Sequence, residues 1–278
     1  MLYLVLAFCS SALVSLGMRL SEAKVRRNMG MLLVNYVVCA ALAAAEAGVD
    51  CLVPRVPGLG FALGLGLVNG GVYLAGFVLL RSNVSRSGVV LSSTFMKLGL
   101  LVTMLISVVF FGEQPGLFQL LGFALAVAAI VLINYVPGEG KGSFCPGLLL
   151  LMVTGGLCDG TSKIFEELGN PALSEHFLFY TFLMALLLCF LLAFRKKQLP
   201  GVWEWLFGAL IGIPNFYSCR FVLLSLATVP GVVAYPVYAV AGILLVTLAG
   251  TLFFREKLNR RQWIALAIIL LALVLLNL

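Results

Sequence analysis

The sequence predicts an all-α integral membrane protein with ten transmembrane helices, arranged as two inverted five-helix repeats. Three observations predict this fold class: an apolar composition, an internal repeat at an offset of 143 residues, and basic residues concentrated in alternate loops. Apolar residues make up 62% of the chain and charged residues 10%, whereas a soluble domain has about 45–50% and about 25%. We therefore expect nearly the whole chain to lie in a bilayer.

Ten apolar stretches of the chain are long enough to be crossings. A helix needs about 20 residues to cross a hydrocarbon core of about 30 Å. The stretches are 2–20, 29–48, 57–80, 88–111, 115–136, 145–165, 174–194, 202–225, 230–252 and 260–278. Almost nothing remains for a separate soluble domain, so the membrane region must carry the function. The first stretch has no basic region before it, and we expect it to be retained rather than cleaved as a signal peptide.

The second half of the chain repeats the first. The Phe-Phe-x-Glu motif at Phe110 to Glu113 recurs at Phe253 to Glu256, and Tyr73 has a counterpart in Tyr217. These matches predict one five-helix unit over residues 1–140 and a second over residues 141–278. Because five crossings is an odd number, the second unit is upside down relative to the first.

The basic residues mark one face of the predicted membrane protein. Fourteen of the 18 lie after the first, third, fifth, seventh and ninth crossings: Arg19, Lys24, Arg26, Arg27, Arg81, Arg86, Lys141, Arg195, Lys196, Lys197, Arg255, Lys257, Arg260 and Arg261. The positive-inside rule then predicts a multi-pass protein of the bacterial plasma (inner) membrane with both termini outside. The net charge of +7 follows from this topology, and no nucleic-acid partner is expected.

Inverted repeats of helices are typical of transporters, in which the two copies exchange conformations around a site near the midplane. With this five-plus-five organisation and its two Phe-Phe-x-Glu motifs, the chain resembles the ten-helix drug/metabolite transporters of EamA type. The resemblance implies a central cavity enclosed by the first four helices of each repeat. It also implies cytoplasmic termini, whereas the loop charges predict the reverse.

The resemblance further implies that the fifth helix of each repeat is peripheral. The stretches between Leu120 and Ile133 and between Trp263 and Leu276 carry no polar side chain. Helices of this composition face lipid or a partner helix. We therefore expect the protein to be a monomer, or a homodimer formed through helices 5 and 10.

Lys97 is the first candidate for binding a substrate. A charge at mid-bilayer is unfavourable by at least about 2.5–3.5 kcal/mol, which makes every such residue a functional candidate. Lys97 lies inside the stretch 88–111, three to four residues after Ser93 and Thr94, and its counterpart in the second repeat is Val240. We expect all three polar residues to line the substrate path. A buried pairing of Lys97 with Asp159 or a backbone carbonyl is the alternative.

Asp159 and Arg220 are two further candidates among the charged residues inside predicted crossings. Neither has a charged counterpart in the other repeat, so the shared scaffold requires neither charge. Two interpretations stay open: both residues contribute to the substrate site, or they neutralise each other as a buried ion pair.

Weaker candidates are polar or conformationally unusual residues within the crossings. Hydrogen bonds or aromatic surface for a substrate are expected from Asn69, Tyr73, Asn215, Tyr217, Tyr235 and Tyr238. Gate hinges are expected at Gly70, Gly71, Pro214 and Pro236, because proline and glycine allow helices to bend. The same polar residues could instead hold helices together.

Other residues are expected to be structural. Glu113 and Glu256 lie at helix ends, where an acid suits the positive helix terminus. His176 follows a helix start and is expected at the surface. Close helix contacts are expected at the four-residue glycine spacings Gly60/Gly64, Gly66/Gly70 and Gly208/Gly212.

The sequence favours a secondary transporter of a small polar metabolite over other functions. Lys97 and Arg220 supply two positive charges, and Asp159 supplies one negative charge. An anionic or zwitterionic substrate is therefore expected, such as an amino acid or organic acid. The alternatives are a flippase for a lipid-linked head group and a broad-specificity drug exporter. Catalytic motifs, a Walker loop and metal-ligand spacings do not occur, so we expect no enzyme activity, metal or cofactor. The driving force, a proton gradient or exchange against a counter-substrate, is left open.

Overall fold

The computed structural model describes residues 2–48, 52–112, 116–134, 146–226 and 231–275. All regular structure in these residues is helical. The helices are α1 Leu2–Ser21, α2 Asn28–Ala47, α3 Leu59–Ser87, α4 Val89–Lys97, α5 Leu100–Phe111, α6 Leu117–Asn134, α7 Pro146–Leu168, α8 Ser174–Arg195, α9 Val202–Leu226, α10 Gly231–Leu252 and α11 Arg260–Leu275, with a 3-10 turn at Pro171–Leu173.

These helices confirm the predicted all-α membrane fold. Within the described residues, seven segments are long and apolar enough to cross a membrane, and Leu117–Ile130 and Val237–Leu252 are shorter apolar helices. Each of the ten predicted stretches contains a helix, with α4 and α5 sharing the fourth. The count of ten crossings itself stays a prediction.

The third helix is longer than its apolar stretch predicts, because its last turns are held by a buried arginine. α3 continues to Ser87, so Arg81 and Arg86 lie in the helix and the placement of both in a loop was wrong. The Arg81 guanidinium donates hydrogen bonds to the Met18 carbonyl at 2.6 Å and to Ser21 Oγ at 2.8 Å. With its donors satisfied, the charge can be buried without ending the helix.

The fourth predicted crossing is interrupted immediately after Lys97. α4 ends at Lys97 and α5 begins at Leu100, with the amide of Gly99 bonded to the Met96 carbonyl at 3.2 Å in a tight turn. Gly99 lies directly on Gly155 and Gly156 of α7, where a Cβ on Gly99 would collide with the backbone. The crossing predicted over 88–111 is found as one apolar span, Val89–Phe111, but its helix is not continuous. The interruption arises from this close contact between two glycine-bearing segments.

Helices of the first half pack mainly on helices of the second half. α1 and α2 pack against α9, α2 and α3 against α8, and α3, α4 and α5 against α7. The predicted glycine contacts are confirmed at Gly66 and Gly70, which face α8, and at Gly208 and Gly212, which face α2. The Gly60/Gly64 prediction was wrong, since a Cβ at either residue would meet no neighbouring atom within 4 Å.

The peripheral helices α6 and α11 pack against each other within the same chain. Alanine and isoleucine side chains fill this contact, with Ala126, Ala129, Ala265, Ile269 and Ala272 all at 0% exposure. Each helix therefore already covers one apolar face of the other. A homodimer through these helices stays a prediction. In such a dimer, only the faces of α6 and α11 that do not contact each other could form the interface.

The predicted hinges lie in helices that the structure shows as continuous. α3 passes through Gly70 and Gly71 without a break, and α9 passes through Pro214. The side chains of Tyr235 and Pro236 lie outside the described part of α10, as does Glu113 in its loop. Hinge motion at these positions stays a prediction. The observed interruption at Gly99 was not among the predicted hinges.

Candidate functional site

A cavity of about 460 Å³ lies between α3, α4, α7, α8, α9 and α10. It reaches the connection between α7 and α8, where Glu166 and Pro171 are exposed. Its walls combine aromatic rings with polar groups. The aromatic residues are Tyr73, Phe165, Phe177, Phe182 and Tyr238, and the polar residues include Asn69, Lys97, Asp159, Ser162, Glu166, Ser174, Glu175 and Thr181. A largely apolar pocket with a few convergent polar groups is the usual form of a small-molecule site.

Lys97 lines this cavity, as predicted from its position in the sequence. Its Nζ lies 3.6 Å from the centroid of the Tyr238 ring, which is a cation–π contact. Lys97 is also the last residue of α4, and the negative end of a helix dipole favours a cation there. The interruption of the helix therefore helps to stabilise the charge beside the cavity.

Asp159 of α7 lines the same cavity as Lys97. Its side chain is accessible in the structure. The cavity thus presents one positive and one negative group. This arrangement can hold a molecule that carries both charges.

Arg220 does not pair with Asp159. Its Nη1 is in direct contact with Glu46 Oε1 of α2, and it is absent from the cavity walls, which on α9 include Cys219, Val222 and Leu223. The helix packing explains this outcome, because α9 packs against α1 and α2 and thereby directs Arg220 away from α7. The structure therefore places Arg220 outside this cavity, and a substrate role for it stays a prediction.

Ser93 and Thr94 are buried in α4 and lie outside the cavity walls. The Thr94 hydroxyl donates to the Val90 carbonyl of its own helix at 2.8 Å. Such a bond satisfies a hydroxyl in apolar surroundings one turn back along the helix. These two residues therefore do not share the cavity with Lys97, and their substrate role stays a prediction.

Asn69 joins three helices at the cavity wall. Its Nδ2 donates to Thr181 Oγ1 of α8 at 3.4 Å, and its Oδ1 accepts from Thr161 Oγ1 of α7 at 2.7 Å. Asn69 lines the cavity as predicted. Both of its amide atoms also serve to hold α3, α7 and α8 together.

Tyr73 connects the cavity to a buried polar network between α2, α3 and α9. Its hydroxyl donates to Asn215 Oδ1 at 2.7 Å and lies 3.3 Å from Cys219 Sγ. Asn215 Nδ2 in turn donates to Asn35 Oδ1 at 3.2 Å. Asn215 stands behind Tyr73 and outside the cavity walls, so its role here is to position the tyrosine.

The remaining tyrosines separate into two environments. Tyr238 lines the cavity and exchanges a hydrogen bond of 3.0 Å with Ser218 Oγ. Tyr217 stacks on Phe221, with ring centroids 5.3 Å apart, and faces a different, apolar groove outside the cavity. Tyr238 therefore lies in the cavity and Tyr217 lies outside it, and a substrate role for either stays a prediction.

Acidic residues at the open end of the cavity were missed by the sequence analysis. Glu166 and Glu175 both belong to the walls. Next to them His176 is buried, at 8% exposure, so the surface position predicted for it was wrong. In the sequence, acidic residues stand on both sides of the α7–α8 connection. This grouping could have indicated that acids line the open end of the cavity.

Glu256 holds helix ends together on the face that carries the basic loops. Its carboxylate accepts hydrogen bonds from the amides of Val89 at 2.8 Å and Val90 at 3.2 Å, at the start of α4. Arg19 Nε lies 3.5 Å from the same carboxylate. The contact agrees with the expected structural role of Glu256 at a helix terminus, and it joins α1, α4 and the end of α10.

Comparison with known proteins connects this geometry to a family. The sequence matches the EamA-like transporter family over residues 1–135 and 147–278. A protein of Haemophilus influenzae, described only as an uncharacterized protein, is 23% identical over 199 residues, which cover 68% of this chain and 67% of the relative. A solved crystal structure of a protein shares the fold, with a TM-score of 0.61 and 18% identity over 98% of this chain and 96% of the other.

The family match covers both halves of the chain, and it agrees with the two repeats predicted from the sequence. The helices around the cavity and their apolar composition agree with a multi-pass membrane protein. The chain belongs to the EamA-like transporter family, within the drug/metabolite transporters.

Proposed function

We propose that this protein is a secondary transporter of a small zwitterionic metabolite, of the size and charge of an amino acid. The observation that carries the proposal is the presence of Lys97 and Asp159 in one cavity. In this arrangement Lys97 binds the carboxylate of the substrate and Asp159 binds its ammonium group. Charge-assisted hydrogen bonds of this kind are the strongest that a polar ligand can form in such a site.

The charges of the cavity favour a zwitterion over an anion. Arg220, which would have added a second positive charge, is neutralised by Glu46 away from the cavity. Among the described wall residues Lys97 is the single basic side chain, and Asp159, Glu166 and Glu175 are the acidic ones. A substrate with two negative charges would have one cation among these residues to balance both.

Alternating access is the transport mechanism we propose. The cavity is open beside the α7–α8 connection, while contacts of Glu256 and Arg81 hold helices together on the basic-loop face. Inverted repeats allow the two sides to exchange these roles around a central site. The structure described here therefore corresponds to the state open on the side away from the basic loops.

A flippase for a lipid-linked head group receives less support. An apolar groove does open sideways between α1, α9 and α10. Within the described residues, however, no side chain lines both this groove and the charged cavity, because Tyr217 and Phe221 face one while Cys219 and Val222 face the other. A head group would have no path along shared side chains from the groove to Lys97.

The test is binding and transport with the purified full chain. Amino acids, organic acids, phosphorylated metabolites and lipophilic amines are screened by thermal shift, because a ligand that binds only the folded state raises its apparent stability. The best hit is then measured in proteoliposomes for wild type, Lys97→Met, Asp159→Asn and the exposed control Lys196→Met. We expect a zwitterionic hit, with affinity lowered about 10- to 100-fold by loss of either cavity charge, as for a charged hydrogen bond, and unchanged in the control. Wild-type behaviour of both cavity variants would overturn the proposal.

A further inference from the structure

A second cavity of the protein is an apolar groove on its outer surface, which we call the lateral groove. It has a volume of about 690 Å³ and lies between α1, α9 and α10. Leu13, Leu20, Leu210, Ile213 and Phe253 of its walls are each about half exposed or more. The groove is separate from the substrate cavity, and nothing in the proposed transport reaction uses it.

Along α1 the groove has the length of one leaflet. Its walls on this helix run from Leu20 to Ser10, about 15 Å by helical rise, and half of a hydrocarbon core of about 30 Å is also about 15 Å. Leu20 is next to Arg19 at the end of α1, so the groove starts at the basic-loop face. On α9 the walls continue to Phe221, which stacks on Tyr3 near the start of α1. The part of the groove along α1 has the position and length of an acyl chain of the leaflet on the basic-loop face.

Positive charge stands where the groove meets the membrane surface. Phe253 and Phe254 line the groove, and Arg255 and Lys257 follow at once in the chain as exposed residues. Arg19, next to the wall residue Leu20, is in contact with Glu22 and Glu256. Arg255 and Lys257 are thus exposed cations that lie close to the groove in the chain, and Lys257 lines a small polar pocket together with Arg19 and Glu256.

The backbone conformation of Arg255 is unfavourable for any residue except glycine. Its φ is +51°, and the amide of Glu256 closes the end of α10 on the Gly250 carbonyl at 3.0 Å. Glycine is the usual residue at this helix-ending position. The arginine at this position carries a positive charge that a glycine would lack, although its backbone conformation is strained.

We propose that the lateral groove binds an anionic phospholipid of the leaflet on the basic-loop face. One acyl chain lies along α1 and α9 beside Pro214, and the phosphate contacts Arg255 and Lys257. Inside a bilayer the acyl chain gains little from leaving other lipid chains, so the selectivity for this lipid comes from its charge. A zwitterionic lipid fills the groove without being selected.

The test measures lipid retained by the full chain in detergent. The protein is incubated with equal amounts of dioleoyl phosphatidylglycerol and dioleoyl phosphatidylcholine, and bound lipid is counted by native mass spectrometry. We expect preferential retention of phosphatidylglycerol. The double variant Arg255→Gln/Lys257→Gln should lose about 30-fold in relative retention, which is about fivefold per charge at a membrane surface. Leu210→Trp, which fills the groove, should reduce retention of both lipids.

Matched controls separate a groove site from diffuse attraction to a basic surface. Arg195→Gln/Lys196→Gln removes two exposed charges from the end of α8, away from the groove, and should leave the retention of phosphatidylglycerol unchanged. Leu150→Trp adds the same ring to an exposed position of α7 and should have no effect. Equal losses from the two charge doubles, or full retention by Arg255→Gln/Lys257→Gln, would overturn the proposal. If a double variant fails to fold, Lys257→Gln alone, with Lys196→Gln as its control, gives the same comparison with an expected loss of about fivefold.

Discussion

The ammonium group of Lys97 lies over the ring of Tyr238, 3.6 Å from the ring centroid. The two residues come from α4 and α10, which belong to different halves of the chain. A desolvated cation–π contact contributes about 2 kcal/mol. The ring therefore fixes the position of the charge across the boundary between the two repeats.

The first prediction follows from this contact. Tyr238→Leu removes the aromatic face, and we expect it to weaken substrate binding by up to about 30-fold, the equivalent of about 2 kcal/mol. Tyr238→Phe keeps the ring and loses only the hydroxyl bond to Ser218, so it should bind nearly as wild type. Binding isotherms in detergent compare the two variants. Equal affinities of the leucine and phenylalanine variants would contradict this role of the ring.

The second prediction concerns the ion pair between Arg220 and Glu46. The side chains are 20% and 36% exposed, so we expect Arg220→Leu or Glu46→Leu alone to reduce stability by only about 1 kcal/mol. The double variant should recover most of this loss, because neither charge is then left without its partner. Thermal unfolding of the four proteins gives the coupling energy as a double-mutant cycle. Strictly additive losses would show that the two residues do not act as a pair.

The same double variant also reports on the substrate site. Because Arg220 lies outside the cavity walls, the protein with both leucines should transport at close to the wild-type rate. Uptake into proteoliposomes measures this directly. If the double variant is stable but does not transport, Arg220 contributes to the substrate path.

The third prediction concerns the carboxylate of Glu256 at the start of α4. Glu256→Gln removes the negative charge that accepts from Val89 and Val90 and attracts Arg19. We expect a loss of about 1 kcal/mol, as for other helix caps. Glu167→Gln, at an exposed position of α7, is the control and should unfold as wild type. Identical melting curves for both variants would mean that the cap contributes nothing to the folded state.

The fourth prediction is the topology. The basic loops predict that both termini lie outside the cytoplasm. A phosphatase that is active only outside the cytoplasm, fused after Leu278, should therefore be active, and a fluorescent reporter that folds only inside should be dark. The reverse pair of results would place the termini in the cytoplasm and invert the assignment of the two faces.

Much of the fold could be predicted because the apolar stretches are long and the repeat is clear. The helix interruption at Gly99 could not, since a glycine in an apolar stretch gives no local signal. It depends on Gly155 and Gly156, more than fifty residues later, which approach Gly99 only in the folded protein. The length of α3 likewise depends on carbonyl and hydroxyl partners for Arg81 that come from α1.

The candidate site was predicted in part. A charged side chain deep in an apolar stretch identifies a functional candidate by its energy alone, and this argument correctly located Lys97 and Asp159 in the cavity. The partner of a charge depends on which helices are neighbours. Arg220 meets Glu46 because α9 packs on α2, and helical periodicity carries no information about that choice.

The interruption at Gly99 also makes α4 a separate short helix, which is in contact with Glu256 at its start and with Tyr238, through Lys97, at its end. Its first residues are held by Glu256, and its last residue is Lys97, about 12 Å away by helical rise. A displacement of one end moves the other, because nine residues of helix bend little over that distance. If Lys97 binds the substrate as proposed, substrate binding and the contacts of Glu256 with the start of α4 are mechanically linked. By reciprocity, a change in those contacts then alters the affinity for the substrate by the same factor.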